Sequence, residues 1–371
     1  MQRSAPVNGA AERRIPSLDG LRAISIVLVL LGHLAGTRNF PLSAAVGNYW
    51  GIAHLGVGVF FVISGFLITG LLLDETARNG TIRLGRFYFR RTLRIFPAYY
   101  AFLAAVAIAG ALGTVSLAPH DISRAMTYTS NYDAGRSWFV GHTWSLSVEE
   151  QFYLLWPAAL LLSGSRRGLV IAVGVVLAVP VVRLIEWEAL RTFSDGIGAR
   201  FETVADAIAI GCVLACLRRR LHESAGYMRF LRSPLFVAVP VVAFAANMTH
   251  DHPLVYFVAG LTTVNIAVAL CIDWCVTFPE GRVGRVLNAT PLVYVGWLSY
   301  SLYLWQQPFL NRASTAPIAA FPLNIIIAVL LALISYYAVE RPSLALRRGL
   351  ERWSERRRAG AVVPLRQESA A

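Results

Sequence analysis

Long apolar stretches alternate with short polar segments along almost the whole chain. The apolar stretches recur from residue 20 to residue 340, and no long polar block separates them. Because a helix needs about 20 apolar residues to cross a bilayer, the pattern predicts an all-α, polytopic integral membrane bundle of about ten transmembrane helices. The predicted spans are residues 18–36, 52–73, 96–116, 144–163, 168–187, 203–217, 233–248, 254–278, 291–310 and 321–340.

Composition excludes the ordinary soluble class and makes the lipid bilayer the expected partner. Hydrophobic residues make up 56% of the 371 residues and charged residues 15%, whereas about a quarter of a soluble domain is charged. The net charge of +13 does not indicate nucleic-acid binding, because the basic residues lie in short clusters between apolar spans. The four cysteines fall inside those spans as small hydrophobic residues, so no metal site is predicted.

Most arginines fall in every second segment between the spans, counted from the N-terminus. Cytoplasmic segments of multi-pass proteins hold the excess of basic residues, so both termini are predicted to be cytoplasmic. We divide the chain into a cytoplasmic N-terminal tail at residues 1–14, a transmembrane domain at 15–342 and a basic cytoplasmic tail at 343–371.

Two basic segments are predicted to lie at the membrane surface. Residues 82–96, after the second span, alternate basic and aromatic side chains and are too charged to cross, so we expect an interfacial amphipathic helix. Residues 347–358 are predicted to form a solvated basic strip near anionic lipid headgroups.

One histidine lies deep inside the first span. Arg22 and His33 are eleven residues apart, about three helical turns, so the two side chains share one face about 16 Å apart. An ionisable group at that depth needs a polar cavity or a partner, and a neutral imidazole can take the proton of an attacking hydroxyl. The alternative is a histidine that only donates a hydrogen bond between helices. Asp19 either pairs with Arg22 or caps the helix.

A pair of arginines precedes the third span. Arg91 and Arg94 are three residues apart and therefore neighbours on one helical face. The fork of a guanidinium group matches phosphate oxygens, so the pair suits a phosphate or pyrophosphate ligand. Lipid headgroups are a competing ligand, and simple anchoring of the basic side is the third interpretation.

Two adjacent carboxylates, Glu149 and Glu150, lie in the fourth span, with Ser145 nearby. Both cannot face lipid, so one is expected to orient His33 or line a substrate site, unless both are solvated at the membrane edge. In the ninth span, Tyr303 belongs to an aromatic and amide-rich run that forms either an interfacial belt or the wall of a substrate cavity.

Five segments occur in a characteristic order: LDGLRAISIVLVLLGH, GVGVFFVISGFLIT, FYFRRTLRIFP, TWSLSVEEQFYLLWP and SYSLYLWQQP, followed by Glu340-Arg341-Pro342. Together they resemble acyltransferase family 3, the bacterial membrane O-acyltransferases that modify surface polysaccharides and some small molecules. The order and spacing of the segments carry the resemblance, which extends from Ile15 to Pro342.

The resemblance implies an enzyme of the bacterial inner membrane that transfers an acyl group to a hydroxyl of a surface glycan, lipid-linked sugar or similar acceptor. It implies acyl-CoA, commonly acetyl-CoA, as a donor substrate used from the cytoplasm, with no bound cofactor. His33 is the implied central catalytic residue, with Arg22 paired to it and Arg91 and Arg94 at the donor. The sequence does not choose between a His33 that acts as a general base and one that carries the acyl group covalently. We add Glu149 and Glu150 as catalytic candidates. The candidate substrate-binding residues are Asp19, Trp144, Ser145, Asp206 and Tyr303.

The sequence departs from the family pattern at two positions. Gln306 lies where many members have a histidine, and the arginine that precedes the family's aspartate is displaced here to Arg200. Some members carry a C-terminal hydrolase-like domain; because this chain ends soon after the last span, the resemblance implies a stand-alone form.

Two other classes of function fit buried charges in a membrane bundle. A transporter that exports a glycan or lipid would use them as a substrate path, and it predicts inverted repeats that we do not find in the sequence. A regulatory membrane scaffold would use them only for packing. Acyl transfer that requires Arg91 and Arg94 distinguishes an enzyme from both.

Overall fold

The computed structural model describes residues 15–47, 51–190 and 198–360, and this part of the chain is helical and contains no β-strand. The predicted tail at residues 1–14 lies outside the described residues, as do residues 361–371. The helices are α1 Leu18–Leu34, α2 Ser43–Gly47, α3 Ile52–Asn79, α4 Leu84–Ala111, α5 Asp121–Met126, α6 Trp138–Gly141, α7 Thr143–Leu190, α8 Phe201–Glu223, α9 Ala225–Arg232, α10 Ala238–Asn247, α11 Pro253–Val255, α12 Leu261–Thr277, α13 Arg282–Leu287, α14 Thr290–Gln306, α15 Leu323–Ser335 and α16 Arg341–Gly360.

Five helices of the described chain are long and apolar enough to cross a membrane, and the count rises to six if α9 and α10, bent by 70°, form one span. These helices confirm a membrane helical bundle, while the number ten stays a prediction. Some of the predicted spans are too short or too charged to be counted as membrane-crossing helices. The helices α1 and α14 have 17 residues each, a rise of about 26 Å, and α8 carries several charged side chains.

Helix α1 packs between α3 and α14, and glycines allow the close approach. A Cβ atom at Gly56 of α3 would lie 2.6 Å from the carbonyl oxygen of Ser25, and one at Gly296 of α14 would lie 2.0 Å from that of Asp19. Any larger residue would push the helices apart. The helix that carries Arg22 and His33 is therefore held inside the bundle.

The basic segment at residues 82–96 is helical from Leu84 onward, but it is not a separate helix. It forms the first half of α4, which continues through Pro97 into the third predicted span. A helix of 28 residues is about 42 Å long and exceeds the hydrocarbon thickness of about 30 Å. The N-terminal half of α4, with its arginines, therefore lies at one end of the bundle, which we call the basic end.

Helix α7 contains the fourth and fifth predicted spans, divided at Gly164. This residue has φ 74° and ψ 171°, a non-helical conformation that favours glycine. The break falls between the predicted spans, and Arg166 and Arg167 follow it. The first half of α7 brings Glu149 and Glu150 to the centre of the bundle.

Candidate active site

The basic end contains a chamber of about 590 Å³, the basic chamber, which receives side chains from α1, α3, α4, α14 and α16. Arg22 lines it and forms an ion pair with Asp19 at 3.3 Å. The indole Nε1 of Trp297 donates to the other carboxylate oxygen of Asp19 at 3.2 Å. The pairing of Asp19 with Arg22 is therefore confirmed, and the pair forms one wall of the chamber.

Arg91 and Arg94 also line the basic chamber, as neighbours on one face of α4. The guanidinium carbon of Arg91 lies 4.7 Å from the ring centroid of Tyr153, within the range of a cation–π contact. Arg94 forms no hydrogen bond or ion pair with the residues that the structure describes. The pair thus presents positive charge to the chamber.

A smaller central chamber of about 110 Å³ continues from the basic chamber, and Arg22, Arg91 and Arg94 line both. The carboxylate of Glu149 lies there and accepts hydrogen bonds from Ser64 at 2.8 Å and from Tyr153 at 3.2 Å.

Glu150 lines the same chamber, and its buried Oε1 has no hydrogen-bond partner in the described chain. A buried carboxylate oxygen without a donor is costly unless a ligand or a proton satisfies it. Both carboxylates therefore face the central chamber, beside Arg91.

His33 lines a third cavity of about 290 Å³, the histidine cavity, towards the end opposite the arginines. Its ring makes an edge contact with Trp138, with 5.5 Å between the centroids. Tyr303 lines both this cavity and the central chamber. The three spaces thus follow one another through the bundle, from the arginines to His33.

The imidazole of His33 is held by Gln306, whose Oε1 lies 2.7 Å from Nδ1. The amide nitrogen of Gln306 faces the Tyr303 carbonyl oxygen at 3.5 Å and Gln307 Oε1 at 3.4 Å, which places the amide oxygen towards His33. An oxygen accepts, so Nδ1 carries the proton and Nε2 of the neutral ring keeps its lone pair. In this tautomer the nitrogen that can act as a base is Nε2.

The expectation that Glu149 or Glu150 holds the imidazole is wrong in this structure. Glu149 is bonded to Ser64 and Tyr153, and neither carboxylate lines the histidine cavity. The side-chain amide of Gln306 in α14 holds the imidazole instead. Gln306 is the position at which many family members have a histidine.

Ser145 lines the central chamber beside Tyr303, which also lines the histidine cavity. Their hydroxyl oxygens are 2.5 Å apart, and the Tyr303 hydroxyl also donates to the carbonyl oxygen of His142 at 3.2 Å. The His142 ring, 3% exposed, lines the histidine cavity and lies 5.3 Å from the Tyr303 ring. Two segments that are distant in the sequence, around His142 and around Tyr303, therefore meet beside His33.

The loop before α7 closes the histidine cavity through Arg136. Its guanidinium donates to the carbonyl oxygens of Asp133 and, at 3.0 Å, of Gly141. Burial raises the pKa of the Asp133 carboxyl, but hydrogen bonds from Arg124 and Gly135 and the charge of Arg136 outweigh it, so that pKa lies below its usual value. The carboxylate stays ionised and fixes the loop.

Asp206 lies apart from His33 and the arginine pair, in a side cavity of about 240 Å³, and Trp144 lines both this side cavity and the histidine cavity. Asp206 is fully buried and pairs with Arg183, with 2.5 Å between Oδ1 and Nη2. Its Oδ2 accepts from Thr262 at 2.6 Å. Arg200, to which the family arginine is displaced in this sequence, pairs instead with Glu186.

We expect Asp206→Asn to lower the free energy of unfolding by about 3–5 kcal/mol, because it leaves the buried charge of Arg183 without its counter-ion. Thermal unfolding of the purified protein in detergent measures this. The matched control is Glu186→Gln, which breaks the partly exposed pair with Arg200 and should cost less than about 1 kcal/mol. Equal shifts in the two variants would contradict a stabilising role for the buried pair.

Sequence reasoning missed several residues that the structure places at these cavities. Neither Arg136 nor His142 is among the candidates predicted from the sequence. Their signal was weak, since only the fold brings them to the cavity that His33 lines. Arg183 carried a clearer signal, because an arginine inside a span needs a buried partner.

A family model described as an acyltransferase domain matches residues 15–341. The chain is 28% identical to the putative peptidoglycan O-acetyltransferase YrhL of Bacillus subtilis over 370 residues, covering 89% of this chain and 55% of YrhL. It is 29% identical to the peptidoglycan O-acetyltransferase OatA of Listeria monocytogenes, covering 81% of this chain and 50% of that protein.

The O-acetyltransferase OatA of Staphylococcus aureus is 27% identical, over 89% of this chain and 57% of its own length. The chain thus spans about half the length of the curated relatives it matches. No solved structure matches the chain significantly.

Proposed function

Because this chain belongs to acyltransferase family 3, we propose that it transfers an acyl group from acyl-CoA to a hydroxyl of a glycan or lipid-linked sugar. Two of the relatives bear the name peptidoglycan O-acetyltransferase, which supports a glycan acceptor and acetyl as the transferred group. The donor enters at the basic end, which the arginine distribution assigns to the cytoplasm, and the acceptor enters at the opposite end.

The observation that carries the proposal is the succession of cavities from the arginines to His33. Arg22, Arg91 and Arg94 are shared by the basic and central chambers, and Tyr303 is shared by the central chamber and the histidine cavity. A long thioester can therefore keep its phosphates at the basic end while its acyl group extends towards His33. Guanidinium groups bind phosphate oxygens in a two-pronged geometry, which supports this orientation.

The proposed chemistry follows from the tautomer of His33. Its Nε2 takes the proton of the acceptor hydroxyl while the hydroxyl oxygen attacks the thioester carbonyl carbon. The carbon–sulfur bond then breaks, and the proton passes from His33 to the departing CoA thiolate. The products are an ester and free CoA, and Gln306 stabilises the imidazole orientation throughout.

Purified protein in detergent, supplied with acetyl-CoA labelled in the acetyl group and a soluble glycan, tests the proposal. We expect the label to enter the glycan as a hydroxylamine-sensitive ester, with one free CoA released per ester formed. A transporter would instead move glycan across proteoliposomes without releasing CoA. If the folded protein formed no ester and released no free CoA thiol, the proposed activity would be refuted.

A further inference from the structure

Helix α16 forms part of the basic chamber, although residues 347–358 were expected to be a solvated strip. The helix begins at Arg341, directly after the π-helical segment Tyr336–Glu340, and it packs against α4. Arg341, Arg347 and Arg348 line the chamber together with the arginines of α4. The C-terminal helix therefore supplies a second basic wall.

The two walls give the chamber more positive charge than its carboxylates balance. Seven arginines line it, against the three carboxylates of Asp19, Glu75 and Glu340. Asp19 and Glu75 already pair with Arg22 and Arg90, and Glu340 accepts a hydrogen bond from Ser301 at 3.0 Å. Repulsion among so many cations in about 590 Å³ favours a ligand that carries several negative charges.

We propose that α16 is a second phosphate subsite, and that the chamber takes a thioester donor with two separated phosphate groups on a nucleotide. Arg91 and Arg94 bind the pyrophosphate next to the thioester arm, while Arg347 and Arg348 bind the phosphate on the ribose. The proposal rests on the proposed function. Trp297 and Tyr336 line the same chamber and offer aromatic faces to the base.

A lipid headgroup offers the same phosphate chemistry, but the position of α16 favours the soluble nucleotide. Arg347 is 8% exposed, so it is withdrawn from the surface where headgroups lie. The chamber that it lines also shares Arg22, Arg91 and Arg94 with the central chamber. A ligand held by α16 and α4 together therefore points its remaining part towards the bundle interior.

The test compares acetyl-CoA with acetyl-dephospho-CoA, which lacks only the phosphate on the ribose. For the unchanged protein we expect the KM of the dephospho donor to be about 100-fold higher at equal kcat, the ratio for two charge-assisted hydrogen bonds. In Arg348→Gln the KM of acetyl-CoA should rise about tenfold, and in Arg347→Gln/Arg348→Gln it should rise to that of the dephospho donor. The KM of the dephospho donor should not change.

Arg352→Gln is the matched control, because Arg352 lies one turn further along α16 and does not line the chamber. It should keep the discrimination of about 100-fold between the two donors. The single variant Arg348→Gln keeps the test valid if the double variant does not fold, because Arg348 is exposed whereas Arg347 is buried.

Equal KM values for both donors in the unchanged protein, with normal turnover, would overturn the inference and leave the proposed function intact. Absence of turnover with either donor would overturn both. The assay is repeated in nanodiscs of phosphatidylcholine with and without phosphatidylglycerol. If Arg348→Gln removes a dependence on phosphatidylglycerol but keeps the donor discrimination, the arginines bind headgroups and the inference is wrong.

Discussion

Replacing His33 by alanine is expected to lower kcat for acyl transfer by about 10²–10⁴-fold, the usual contribution of a general base. The KM of acetyl-CoA should change little, because His33 lies in the histidine cavity and the donor phosphates lie at the basic end. Steady-state transfer of labelled acetyl groups to a soluble glycan measures both constants.

Two further variants separate catalysis from folding in this experiment. His252→Ala changes an exposed histidine that lines none of the four cavities, so it should leave kcat unchanged. Gln306→Leu removes the oxygen that holds Nδ1 and should lower kcat by about tenfold, since the imidazole is retained but no longer oriented. If a folded His33→Ala protein transferred acyl groups at the undiminished rate, the role of His33 as the general base would be refuted.

Replacing Arg91 and Arg94 together by glutamine is expected to raise the KM of acetyl-CoA by about 100-fold, the effect of losing two charge-assisted hydrogen bonds to phosphate. The kcat at saturating donor should fall far less, because neither arginine lines the histidine cavity. The same glycan assay, run over a range of donor concentrations, gives both values.

The donor itself provides the sharpest control for these arginines. Acetyl-pantetheine has the thioester but no phosphate, so its KM should be equal in the double variant and in the unchanged protein. Arg83→Gln changes an exposed arginine at the N-cap of α4 that does not line the basic chamber, and it should leave both KM values unchanged. If the double variant impaired acetyl-pantetheine as strongly as acetyl-CoA, the arginines would act on structure rather than on phosphate.

The sequence alone was sufficient to predict those parts of the candidate site that depend on helical spacing. Arg22 and His33 lie on the same helix at opposite ends of the cavity path, as the eleven-residue separation predicts. Arg91 and Arg94 share a face for the same reason. Such relations depend only on the helix period and on the cost of burying charge in lipid.

Contacts between distant segments were beyond the sequence. The pairing of His33 with Gln306 joins residues 273 positions apart, and the pairing of Asp206 with Arg183 depends on how α7 lies against α8. Periodicity assigns each residue a face but not the neighbour of that face. The role of α16 was missed for the same reason, because a basic helix has the same pattern on a lipid surface as against a chamber.

The proposed function requires that one passage join the arginines to His33 and that a thioester donor occupy it. Electron cryomicroscopy of the protein with a non-transferable thioether analogue of acetyl-CoA would locate the donor. We expect its phosphates beside Arg91 and Arg94, with the acyl carbon past Tyr303 and next to Nε2 of His33. An analogue whose acyl end lay outside the bundle, far from His33, would refute the passage.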